Sequence, residues 1–334
     1  MKIKNQILYF FTILSVALMT FSCTNDTKEV VKLKSIVEIA QADPANFSIL
    51  VDALKKTSLD VTLSNPGSYT VFAPTNAAFT ASGITSASIS AMVLPADIAT
   101  LKLVLQNHVL GIGTRANDLL AAGYTKTFAV SKTTPTANLS LFVNKAATDV
   151  LLNGGVANGG AKVTTADIEA SNGIVHVIDA VLKLPTIVNQ ISANPILSSL
   201  LGVVTTTPQA SVLAILTSAT AAAPITVYAP NNDAFTAAKG NAGYLVGKTD
   251  VQITNILKYH LESGNRAPSS TTSYSTSADV SVTTLYTPNK FTILLGTVKI
   301  KDIVATSNGT IKTFNIQGTN GVVQVIDKVL QPFL

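Results

Sequence analysis

Tyr69-Thr-Val-Phe-Ala-Pro-Thr-Asn-Ala-Ala-Phe79 is spelled a second time, with small changes, as Ile225-Thr-Val-Tyr-Ala-Pro-Asn-Asn-Asp-Ala-Phe235. Its reading is architectural. Val71 and Phe72 favour a strand, Pro74 forces Ala73 to be extended, and Thr75 or Asn76 can cap a helix that carries Phe79. Asn231, Asn232 and Asp233 serve the same turn in the second copy. As a set, Thr75, Asn76, Asn231 and Asn232 also offer a candidate polar binding surface, although capping already accounts for these residue types.

Each copy has a downstream partner, Asn172-Gly-Ile-Val-His-Val-Ile-Asp-Ala-Val-Leu182 and Asn320-Gly-Val-Val-Gln-Val-Ile-Asp-Lys-Val-Leu330. The distance between copies drifts slowly along the chain, from Val71 to Val227, His108 to His260 and Ile174 to Val322, offsets of 156, 152 and 148 residues. Such drift marks a duplicated domain with small changes in loop length. Strand alternation in the partner segment puts Ile174, His176 and Ile178 on one face and Val175, Val177 and Asp179 on the other.

The two segments resemble the two signature boxes of fasciclin domains, present in order and twice, with Tyr259-His260 matching the family's Tyr-His pair between them. The resemblance covers residues 32 to 333. Asn107 departs from the pattern where a Tyr precedes His108, and Gln324 departs from it where the first copy keeps His176. The resemblance implies an α+β fold of two tandem fasciclin-like domains, each a wedge-shaped β-sandwich with several helices packed at one side, over 35–184 and 186–333. It also implies a non-enzymatic role in cell-surface adhesion or in capture of extracellular protein or polysaccharide. Helical runs early in each repeat and strands late agree with α+β.

At the N-terminus, Lys2 and Lys4 precede an uncharged run from Asn5 to Ser22, which reads as a secretory signal over 1–22. The run ends at Cys23, the chain's one cysteine, and Leu18-Met-Thr-Phe-Ser-Cys23 resembles a loose bacterial lipoprotein signal. Cys23 would then carry the lipid, residues 23–34 would be a tether, and the site would be the bacterial cell envelope at the outer membrane, with the lipid as the sole membrane contact. Cleavage leaves 21 basic against 18 acidic residues, a net charge of +3, so the pI of 9.1 is no sign of nucleic-acid binding.

Between the boxes, Leu101, Val104, Leu105 and His108 fall at helical spacing, as do Ile253, Ile256, Leu257 and His260. Each histidine closes an apolar face and is expected to be a hydrogen-bonded core residue. The chain's two arginines, Arg115 and Arg266, follow these histidines by 7 and 6 residues, a recurrence that suggests an ion pair or a bond to loop carbonyls. Asn153-Gly-Gly and Asn158-Gly-Gly separate short runs that read as hairpins. Ser263 to Ala278 reads as a long Ser/Thr-rich surface loop whose Arg266 and Tyr274 are candidate contacts for glycan or protein. Asp179 and Asp327 are expected to accept bonds from backbone amides of the turn that follows each strand.

Three histidines and one thiol leave no metal cluster of the usual spacing, and no G-x-S-x-G elbow or dinucleotide glycine pattern is present, so neither a cofactor nor catalysis is expected. Two rival readings are an envelope enzyme that processes glycans or cleaves esters, which would need paired carboxylates in one cleft, and a passive surface spacer.

Overall fold

The computed structural model describes residues 32–133, 136–146, 149–240, 243–267, 278–294, 296–304 and 308–334. In it, the two boxes of each repeat become neighbouring parallel strands. Strand β1 (Tyr69–Pro74) runs beside β7 (Gly173–Ile178) in unbroken register from Tyr69 opposite Gly173 to Pro74 opposite Ile178. In the second repeat, β8 (Ile225–Pro230) runs beside β14 (Gly321–Ile326), from Ile225 opposite Gly321 to Pro230 opposite Ile326. Parallel neighbours need a long crossover, and the whole middle of each repeat is that crossover.

The first repeat opens with α1 (Ile36–Ala42), α2 (Pro44–Lys56) and α3 (Leu59–Ser64), with Pro44 beginning α2 where it cannot continue α1. After β1 come α4 (Asn76–Ala81), α5 (Ser86–Ala91), α6 (Pro95–Gln106), β2 (Val109–Leu110), β3 (Ala122–Val130), β4 (Asn138–Ala146), β5 (Asp149–Leu152) and β6 (Ala161–Ala170). The second repeat supplies α7 (Ile187–Ala193), α8 (Ser198–Val204) and α9 (Ala210–Ser218), then β8, α10 (Asn232–Lys239), α11 (Asp250–Tyr259) and β9 (Leu261–Ser263). It ends with β10 (Val280–Thr283), β11 (Lys290–Ile293), β12 (Lys299–Lys301), β13 (Gly309–Gly318) and β14. Both sheets have seven strands in the same spatial order, β2-β1-β7-β6-β5-β4-β3 and β9-β8-β14-β13-β12-β11-β10. The fold is α+β, two tandem domains of one topology.

The expected sandwich is one continuous strand order that turns at its long fourth strand. Register shifts interrupt β6 between Val163 and Ile168, and β13 between Ile311 and Ile316. Asp167 (φ 61°) and Asn315 (φ 53°) mark the two bulges. Alternation along the parallel pair then builds two cores per domain. Val71, Ala73, Val175 and Val177 pack against the helices with Phe47, Leu50, Leu54 and Phe79, whereas Phe72 and Ile178 face inward to Leu141, Val143 and Leu152. Val227, Ala229, Val323 and Val325 repeat the helix-facing set, and Tyr228 and Ile326 join Phe291, Ile293 and Ile300 in the inner one. Each of the Val, Leu, Ile and Phe side chains among them contributes roughly 1.5–3 kcal/mol by leaving water.

The glycine of the second box is required by this pairing. A Cβ on Gly173 would lie 2.2 Å from the Tyr69 carbonyl oxygen, and one on Gly321 would lie 2.0 Å from that of Ile225. The asparagine before it ties in the lead-in helices. Asn172 Oδ1 accepts from the Ile36 amide at 3.0 Å while its Nδ2 donates to the Leu63 and Asn65 carbonyls. Asn320 does the same with the Ile187 amide and the Leu216 and Ala219 carbonyls.

Leu33–Leu334 forms one compact unit, and a buried polar seam joins its two domains. Ser140 Oγ on β4 accepts from the Gln317 amide on β13 at 2.9 Å and from Lys126 Nζ at 2.9 Å. Gln190 Nε2 on α7 donates to the Ser140 carbonyl at 2.6 Å, and the Tyr124 hydroxyl donates to the Gln190 carbonyl at 2.7 Å. Asn265 Nδ2 reaches Thr133 Oγ1 at 2.7 Å. Since each repeat owns two cores and the seam is polar, residues 32–184 and 186–333 expressed separately are expected to fold and stay soluble, with sharp dispersed amide signals in one-dimensional NMR. A half that gives only random-coil circular dichroism would refute that independence.

Candidate functional site

The four candidate polar residues of the first box are engaged by backbone. Thr75 Oγ1 caps α4 by accepting from the Ala78 amide, and Asn231 Oδ1 caps α10 by accepting from the Ala234 amide. The second Asn of each motif clamps the preceding helix layer. Asn76 Oδ1 accepts from the Ile49 amide at 2.9 Å and its Nδ2 donates to the Pro44 and Ala45 carbonyls. Asn232 accepts from the Ser199 amide at 2.9 Å and donates to the Pro195 carbonyl. These four side chains sit where chain segments meet, with their bonding capacity turned inward.

His108 and His260 follow the last turns of α6 and α11, both buried. Each ring joins a helix to the end of the second box. Nδ1 of His108 lies 2.7 Å from the Val104 carbonyl, and its Nε2 accepts from the Leu182 amide at 2.8 Å. His260 repeats this with the Ile256 carbonyl at 2.7 Å and the Leu330 amide at 2.9 Å. An amide donor at Nε2 requires that nitrogen to be unprotonated, so the proton resides on Nδ1. Burial pushes both imidazoles down to about 4. The residue before each histidine differs: Tyr259 is buried with its hydroxyl donating to the Lys290 carbonyl, whereas Asn107 donates to the Lys183 carbonyl.

His176 serves the bulge of β6. Its Nδ1 accepts from the Asp167 amide at 3.2 Å and its Nε2 lies 2.9 Å from the Thr114 carbonyl. Gln324 makes the same pair of bonds with an amide, Oε1 accepting from the Asn315 amide at 2.8 Å and Nε2 donating to the Arg266 carbonyl at 2.9 Å. The site needs one acceptor and one donor a ring's width apart, and no titrating group.

Arg115 and Arg266 are both ion-paired, to different partners. Arg115 pairs with Glu169 at the surface. The Arg266 guanidinium grips the buried Glu262 carboxylate, with Nε 2.8 Å from Oε2, and the Tyr228 hydroxyl donates to the same Oε2 at 3.0 Å. Tyr228 and Glu262 take the places of Phe72 and Leu110 in the first domain, as the strand registers show. Sequence reading missed this exchange because each substitution looks unremarkable alone. It also misplaced the partners of Asp179 and Asp327. They accept from the Lys162 amide at 2.8 Å and the Thr310 amide at 2.7 Å, on the neighbouring strand and not in the following turn. Each aspartate ends its strand opposite a β6 or β13 residue whose amide points at it.

Within the loop expected over 263–278, Ser263 closes β9, the Gly264 carbonyl accepts from Thr226 Oγ1 and the Arg266 amide donates to that hydroxyl. Tyr274 and Cys23 lie outside the described residues. Among the described residues, no group of three His, Cys, Asp or Glu side chains is placed to hold a metal ion.

Two measurements check these assignments. The folded histidine pKa values fall below the unfolded 6.5, so protons bind the unfolded chain more readily and stability must drop as pH falls from about 6.5 towards 4, by roughly 2–3 kcal/mol per buried ring. NMR should show His108 and His260 neutral down to pH 5; a midpoint near 6.5 for either would refute the burial argument. His176→Gln should cost less than about 1 kcal/mol in urea unfolding, whereas His176→Leu should cost about 2–4 kcal/mol by stranding two backbone groups. Equal costs would show that the bonds are not what the site requires.

The fasciclin domain matches residues 45–185 and again 197–332. Protein sll1483 of Synechocystis is 34% identical over 151 residues, 45% of this chain and 74% of that protein. Human periostin is 25% identical over 308 residues, covering 90% of this chain but only 31% of periostin. A solved FAS1 domain pair from the insect cell adhesion molecule fasciclin I covers 86% of this chain and 95% of its own, with 17% identity and a TM-score of 0.48. The chain belongs to the fasciclin domain family, as a tandem pair.

Proposed function

We propose that this chain is a non-enzymatic adhesion protein of the bacterial cell surface, binding extracellular protein or polysaccharide. The observation that carries the reading is the fate of the box residues. The box side chains Thr75, Asn76, Asn172, Asn231, Asn232 and Asn320 are bonded to backbone, and the one histidine of the boxes, His176, is replaced in the second copy by Gln324, which keeps its two bonds as an amide. Family membership supports the same role. The two domains are bounded at 35–184 and 186–333.

The proposal includes attachment through a lipid on Cys23 at the outer membrane, with residues 23–34 as tether. Among the described residues, no single helix is long and apolar enough to cross a membrane. The second domain would stand farther out, its contact provided by the Ser/Thr-rich stretch that carries Tyr274 beyond Arg266. Because Arg266 holds the buried Glu262, its replacement would also strand a carboxylate, and Tyr274→Ala is the cleaner probe.

Cells displaying the full protein should be retained on extracellular polymer, cells displaying a form ending at Leu184 should not, and Cys23→Ser should abolish labelling by an acyl probe. Undiminished retention by the shorter form would remove the second domain from the binding role. Loss there with none in Tyr274→Ala would keep the domain and discard the loop.

A further inference from the structure

Among the described residues, one difference between the helix layers of the two domains coincides with a cavity. In the first domain the connection between α4 and α6 forms α5, which packs on α2 and gives Ile84, Ile89 and Met92 to the core. In the second domain the connection between α10 and α11 contains no helix among its described residues, 243–249. A cavity of about 100 Å³ remains there, lined by Val203, Phe235, Leu245, Ile253 and Ile256, with Lys239 on its rim. It is smaller than the ~150 Å³ cavity that admits benzene, so a side chain of leucine size is what fits. The Lys239 ammonium lies 5.5 Å from the Phe235 ring centroid and is in no ion pair among the described residues.

The same chain displays a matching knob. Directly after α5, Val93 is 80% exposed and Leu94 60%, an adjacent apolar pair at the tip of a turn. Asp97, in the first turn of α6 and three residues from Leu94, is exposed and likewise in no ion pair among the described residues. We infer that Leu94 of one copy enters the second-domain cavity of another copy, with Asp97 meeting Lys239 across the rim. The contact joins unlike surfaces, so it propagates head to tail and does not stop at a dimer. It stands apart from the adhesive reading above, since self-association and retention on polymer are separate measurements.

Sedimentation of the full chain tests this, with all variants in the same N-terminal background so that any association through residues 1–32 is common to them. Weight-average mass should rise with concentration in the wild type. Leu94→Ala, Lys239→Glu and Asp97→Lys should each weaken that rise about tenfold or more. The Lys239→Glu/Asp97→Lys pair should restore it, with far-UV circular dichroism unchanged throughout because the three positions are at the surface. Indifference to the single changes, or failure of the charge swap to restore association, overturns the proposal. A chain monomeric at every concentration overturns it too, and leaves the cavity to an external apolar ligand.

Discussion

The parallel contact between the two boxes is the constraint on which the rest of each domain depends. Two strands whose residues are a hundred positions apart must meet in register with nothing between their backbones, as the Gly173–Tyr69 and Gly321–Ile225 approaches require. That meeting closes a long loop at an entropic cost which grows only slowly with length, so the burden falls on the quality of the contact. Both faces of the pair are therefore buried. The helix-facing valines and the inward Phe72 or Tyr228 place the pair at the centre of two cores at once, and near-continuous apolar runs are what doubly covered parallel strands contain.

Around that pair, polar side chains act chiefly as backbone partners. A sheet that turns through bulges, and helices that end against strands, leave amides and carbonyls without ladder partners, and each would cost about 1–3 kcal/mol if buried alone. His108, His176, His260, Asn76, Asn172, Asn232 and Asn320 each supply a donor and an acceptor at such a junction. This explains how an imidazole and an amide can trade places between copies while the charge state of the ring contributes nothing. It also explains why residue types common in active sites crowd a motif that performs no evident chemistry.

Much of this was legible in the sequence, for identifiable reasons. The repeated boxes carried their own strand, turn and cap signals within a few residues, so β1, α4, β7 and their second-domain copies could be read from local preference. Phe47, Leu50 and Leu54, at helical spacing, form the buried face of α2. Less legible were α5, a short run of Ser and Ala around one buried isoleucine, and β3, whose period is broken by a bulge between Lys126 and Val130. The partners of Asp179 and Asp327 depended on register across β6 and β13, which no local pattern records. The Tyr228–Glu262–Arg266 cluster escaped for the same reason, since its residues meet only once the second sheet has closed.

The seam between domains is the part of the structure furthest from local sequence, and its composition has a physical consequence. Ser140, Gln190 and Gln317 are buried, and the exposed Lys126 donates from the edge of the seam to Ser140 Oγ and to the Asn315 carbonyl. An apolar seam would gain more from leaving water but would tolerate sliding, because dispersion contacts have no direction. Hydrogen bonds between fixed donors and acceptors hold one alignment, and any slip strands several buried groups together. The Ser140 carbonyl and hydroxyl lie at the centre of this arrangement, receiving Gln190 from α7 and Gln317 from β13, so both a helix and a strand of the second domain are referred to one residue of the first. The two domains are thereby set at one angle, and whatever surface the pair presents is presented as a single shape.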